Sequence, residues 1–93
     1  MNLTIAITPG VIFQEVQLGE SLLLDVKTLA YYSFDPLGTR FWNALQRSPD
    51  ADEALGLVAP TSELHLPELQ KRFRAILSGL ERSGLITLAK SSA

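Results

Sequence analysis

The chain contains no cysteine and a single histidine, His65. That excludes a disulfide scaffold, a thiolate zinc site, an iron–sulfur cluster, a cysteine nucleophile and any site built from several histidines. A basic excess is also missing: eight Lys and Arg stand against ten Asp and Glu, a formal net charge of −2. A duplex-binding domain draws much of its affinity from neutralised phosphates and normally carries such an excess, so nucleic acid is a poor fit as a partner. No apolar run approaches the roughly 20 residues that span a bilayer. The opening MNLTIAITPG lacks the positive n-region of a signal peptide. No glycine-rich phosphate loop is present. These features predict a soluble, cytoplasmic protein with no membrane contact and no cofactor. Its 93 residues leave room for one domain, with little space for a deep cleft beside the core.

Charge is uneven along the chain. Residues 1–66 hold three basic and eight acidic groups, and residues 67–93 hold five basic and two acidic. The C-terminal third is therefore locally positive and suited to a short acidic partner.

The first third reads as β. Leu3, Ile5 and Ile7 alternate with Thr4, Ala6 and Thr8, and Pro9-Gly10 signals a turn. Val11–Val16, Ser21–Val26 and Ala30–Phe34 have the spacing of a three-stranded antiparallel meander, and Leu22–Val26 fits a strand buried on both faces. The remainder reads as α. Asp35 is a good N-cap with Pro36 at the first helical position, and Leu37, Phe41, Ala44 and Leu45 share one face of a helix ending near Arg47. Asp50 and Glu53 have capping-box spacing for a second, short helix that Pro60 stops.

Pro67 opens the third helix, which runs to Ser83. With Phe73 at the centre of a helical wheel, Leu66, Leu69, Ile76, Leu77 and Leu80 all fall within about 60° of it. Arg72 and Arg74 flank that stripe, while Lys71, Ser78 and Arg82 lie opposite. Gly84 suits the left-handed residue that ends a helix. Leu85–Leu88 is a short apolar tail compatible with a strand, and 89–93 are expected to fray. The outline is α+β: a three-stranded antiparallel sheet followed by three helices, winged-helix-like, with a core spanning about 11–88.

No catalytic constellation emerges. His65 reads as a solvated loop residue with no nucleophile-elbow serine near it. Asp50, Asp52 and Glu53 lack the glycine and terminal glutamate of a calcium loop and suit a helix N-terminus instead. The aromatics Tyr31, Tyr32, Phe34, Phe41 and Trp42 cluster within a short stretch. Strand alternation sends Tyr31 and Ser33 to one face and Tyr32 and Phe34 to the other, so at least one tyrosine belongs at a surface or groove. The basic edges of the third helix fit a DNA recognition helix, the rim of a peptide groove, or an ordinary solvated face.

GESLLLDVKTLAYYSFDPLGTRFWNAL and the later LSGLERSGLI resemble the PqqD-like family, the recognition elements of ribosomally made, post-translationally modified peptide pathways. The shared features are Gly19-Glu20 before Leu22-Leu23-Leu24-Asp25, then Tyr31-Tyr32, Asp35-Pro36, Gly38 and Trp42, and the closing Leu77, Leu80, Gly84, Leu85 and Ile86. Departures are Leu29, where the family often has glycine, Asp35 for asparagine, and a poor match over 50–66. The resemblance implies a non-catalytic adaptor. It would bind the leader of a precursor peptide by strand addition and present it to a maturation enzyme: a peptidase, a cyclase or a radical SAM protein. The first two would indicate a lasso-peptide pathway, and the last other chemistry, including PQQ biosynthesis. Carried onto this chain, the site takes Ala30, Tyr31, Tyr32 and Ser33 from the strand and Leu69, Arg72, Phe73 and Ile76 from the helix. The alternatives are a winged-helix DNA-binding regulator and a small interaction module or homodimer with no peptide ligand.

Overall fold

In the computed structural model, residues 2–90 are described. Three strands, β2 (Val11–Gln17), β3 (Glu20–Asp25) and β4 (Tyr31–Phe34), form an antiparallel sheet in the order β2-β3-β4. The meander expected from sequence is therefore present. A second sheet was not foreseen. β1 (Leu3–Ile7) pairs antiparallel with β5 (Ile86–Lys90), with Ile5 opposite Leu88 and Ile7 opposite Ile86. The expected flanks are thus part of the fold: Ile5 is buried and its N–H donates to the Pro49 carbonyl at 2.9 Å. Ala89 and Lys90, expected to fray, are paired with Thr4 and Leu3; 91–93 lie outside the described residues.

Strand β3 is buried on one face only. Ser21, Leu23 and Asp25 point inward and are buried, while Leu22 and Leu24 are half-buried on the outer face. Asp25 is tolerated inside because its carboxylate accepts from the Lys27 N–H at 2.9 Å. The β3–β4 turn closes with Leu29 N–H donating to the Asp25 carbonyl at 2.8 Å. To do so Leu29 adopts φ +64° while its side chain stays 69% exposed. The left-handed region favours glycine, and leucine receives no packing there in return.

Helix α1 (Pro36–Arg47) starts where Asp35 accepts from the Gly38 N–H at 2.7 Å. α2 (Ala51–Val58) is short, followed by a single 3₁₀ turn over Ala59–Thr61. Asp50 caps it, accepting from the Asp52 and Glu53 N–H groups. The reciprocal half of the expected capping box is absent, because Glu53 accepts from the Ser48 hydroxyl instead. α3 (Leu66–Arg82) begins one residue early. It ends in a Schellman motif: Gly84 at φ +76°, Gly84 N–H to Glu81 O, and Leu85 N–H to Leu80 O, with Leu80 and Leu85 both buried in the core.

Leu69, Phe73, Leu77 and Leu80 are buried as the wheel predicts. Leu66 is not: at the first turn it lies 53% exposed. At the centre Phe41 of α1 stacks on Phe73 of α3, with centroids 4.2 Å apart and planes 3° from parallel. Phe34 and Phe13 each stack on Trp42, joining the sheet to α1, and the buried Ser21 and Thr39 hydroxyls hydrogen-bond at 2.7 Å.

Two outcomes follow. Leu29→Gly relieves the left-handed strain and loses part of the gain to the greater freedom of the unfolded chain. Denaturant unfolding should show it about 0.5–1 kcal/mol more stable than wild type. Phe73→Ala opens a cavity against Phe41 and should lower stability by about 3–5 kcal/mol in the same assay.

Candidate functional site

Strand β4 is paired on one side only. Its neighbour is β3, with Tyr31 opposite Leu24, Tyr32 opposite Leu23 and Ser33 opposite Leu22. Among the described residues no strand pairs with its other margin. In an antiparallel ladder, alternate residues turn their N–H and C=O toward the same neighbour. The Asp25 N–H donates to the Ala30 carbonyl at 2.9 Å, which sets the phase. The main chain of Tyr32 and Phe34 therefore faces β3, and that of Tyr31 and Ser33 faces outward. An edge with unpaired donors and acceptors is a template for another extended chain.

Side chains follow the complementary alternation. Tyr31 is 66% exposed and Ser33 is exposed, both on the outer face, while Tyr32 is half-buried and Phe34 buried on the inner face. The Tyr32 ring lies against α3. A Cβ at Gly79 would come within 2.8 Å of Tyr32 Cε2, so glycine is what lets ring and helix meet. Gly38 plays the same part on α1, where a Cβ would stand 2.8 Å from Phe34 Cδ1.

Between the free margin of β4 and α3 lies an open cavity of about 290 Å³. Tyr32, Ser33, Phe34 and Asp35 form one wall, Arg72, Ala75 and Ile76 the other, with Gly38 at the end. Asp35 and Arg72 face each other across it. Arg72 Nη2 donates to Asp35 Oδ2 at 2.9 Å, and the two side chains are 50% and 52% exposed. The other Asp35 oxygen holds the α1 cap.

Five of the eight residues expected at the site come together here. Tyr32, Ser33, Arg72 and Ile76 line the cavity, and Tyr31 adds outward-facing main chain. The others are placed differently. Ala30 has its carbonyl bound to Asp25 and its N–H to the Thr28 hydroxyl, so its main chain closes the turn. Leu69 and Phe73 are fully buried. They support the groove from beneath and do not line it, because the Phe41 stack draws Phe73 inward. Phe34, Asp35, Gly38 and Ala75 were missed. Arg72, Ile76 and Gly79 form one edge row of the helical wheel at spacings of four and three. That row, with Asp35-Pro36 directly after the strand, was a usable signal.

Arg74, on the other flank of α3, borders a separate cavity with Leu3, Leu77, Ser78 and Leu88. The two cations flanking the apolar stripe thus serve different sides of the helix. No helix among the described residues is long and apolar enough to cross a membrane.

Comparison with known proteins agrees with this architecture. No curated protein matches the chain. Among solved structures, TbiB1 in complex with the TbiA(beta) leader peptide superposes with a TM-score of 0.76 at 22% sequence identity, covering 86% of this chain and 92% of that one. At that identity the likeness establishes the fold. The family model for coenzyme PQQ synthesis protein D (PqqD) matches residues 20–86, from the start of β3 to the start of β5, and the chain therefore belongs to the PqqD family.

Proposed function

We propose that this protein is a non-catalytic adaptor in the cytoplasm that binds the leader segment of a ribosomally made precursor peptide and presents it to a maturation enzyme. The observation that carries this reading is the open margin of β4 beside a cavity walled by α3. A leader in extended conformation adds as a further strand. It satisfies the outward N–H and C=O groups of Tyr31 and Ser33, and its alternate side chains enter the groove over Tyr32 and Ile76. Family membership supports the reading, as does the fold shared with TbiB1, a protein solved with a leader peptide bound. The receiving enzyme is a peptidase, a cyclase or a radical SAM protein. A peptidase and cyclase pair would make the pathway that of a lasso peptide.

DNA binding draws less support. Arg72, one of the cations such a helix would offer, is engaged by Asp35, and the chain as a whole is acidic.

Isothermal titration with the synthetic leader of the precursor encoded beside the gene should give a dissociation constant below roughly 100 µM, or about −5.5 kcal/mol. No heat at that concentration would end the reading. Ser33→Pro removes an N–H that faces away from β3, and proline is tolerated on edge strands. The variant should keep the wild-type circular dichroism spectrum and lose about tenfold or more in leader affinity, as expected for one net hydrogen bond plus ring obstruction of the margin. Equal binding by a folded Ser33→Pro protein would rule out strand addition at β4.

A further inference from the structure

The groove is electrically neutral although one of its walls is α3, in the most basic part of the chain. Of the residues lining it, only Asp35 and Arg72 carry charge, and they are bound to each other. Lys71 and Arg82 are exposed on the far side of α3, and Arg74 borders the other cavity. A carboxylate entering the groove therefore meets one cation that already has an anion beside it. Attraction to Arg72 is offset by repulsion from Asp35, and the incoming group still loses water.

From this we infer that Asp35 is a specificity-determining residue, which sets the groove against acidic side chains and in favour of uncharged ones. The inference deepens the peptide-binding reading and rests on it. It also departs from the sequence-based expectation that the locally positive C-terminal third suits a short acidic partner. Asp35 acts through Arg72. Its Oδ2 holds the guanidinium across the cavity mouth, while its Oδ1 is fixed by the Gly38 N–H. The cap hydrogen bond opposes movement of the carboxylate, so the counter-charge stays beside Arg72 when a guest arrives. Among the described residues Asp35 is the acceptor that Arg72 uses. The four remaining guanidinium N–H donors are free for a neutral acceptor such as an amide or hydroxyl oxygen of the guest.

The charge can be removed without removing the cap. Asparagine caps helices as well as aspartate does, so Asp35→Asn should keep α1 in place and leave Arg72 without its partner. The probe is a phage-displayed library of random 12-residue peptides, selected in parallel on the wild-type chain, on D35N and on the double variant D35N/R72M. Thermal melts first establish that all three are folded. Wild-type consensus peptides should carry no Asp or Glu at the groove-facing positions. D35N should enrich Asp and Glu at one such position. A selected peptide with Glu there should bind D35N about fivefold or more tightly relative to its Gln counterpart, a ratio the wild type does not show. The double variant should lose that preference, which a purely structural effect of D35N would not do.

Acidic residues already enriched by the wild type, or the same acid preference in wild type and D35N, would overturn the role given to Asp35 while leaving peptide binding intact. Failure of all three proteins to enrich any peptide would instead overturn the peptide-binding reading, and this inference with it.

Discussion

The contact between Phe41 and Phe73 decides where everything else can sit. Two rings 4.2 Å apart and within 3° of parallel fix α3 against α1 at mid-helix. Both side chains have no exposed surface, so the contact gains the full apolar transfer term as well as the ring–ring term. With that point fixed, the face of α3 bearing Arg72, Ala75 and Ile76 comes to stand opposite the inner face of β4. The groove is what remains between a helix held by its core face and a strand held by β3. Gly79 and Gly38 set its width, since each sits where a side chain would collide with an aromatic ring of β4.

Asp35 links fold and site. One oxygen ends the strand-to-helix junction by capping α1, and the other reaches α3. A half-exposed ion pair adds little stability by itself. Its value lies in placement: the guanidinium of Arg72 has a defined position at the cavity mouth, and the carboxylate that holds it is anchored by a backbone N–H. The ion pair needs an acid at this N-cap, and Pro36 at the first helical position leaves no N–H there to satisfy.

Much of this was legible in the sequence, for identifiable reasons. The meander could be read because its strands are short, apolar and separated by turn residues. α3 could be read because six apolar residues fall on one stripe, and Gly84 took the left-handed position assigned to it. The β1–β5 pair could not be read. Its partners are far apart in the chain, and nothing local in LTIAI or ITLAK says which strand each will meet. The resemblance points to Leu69 and Phe73 on the third helix, and a helical wheel shows which face is apolar without showing how deep each residue on it lies; both are fully buried. The cavity is lined on this helix by the edge of the stripe, where polar and apolar residues mix. Leu22 and Leu24 misled similarly, since an unbroken aliphatic run suggests two buried faces, and here one of those faces is partly open.

Strand β4 spans only four residues, and just two of them turn their main chain outward. A guest that slid along it by two residues would recover the same ladder geometry, with the same face turned inward but each inward side chain moved to the next site. The backbone alone therefore cannot say where along a ligand the protein should stop. Under strand addition, that decision would fall to whichever inward residues fit between Tyr32 and Ile76, and a partner would tolerate change at every second position and resist it at the ones between.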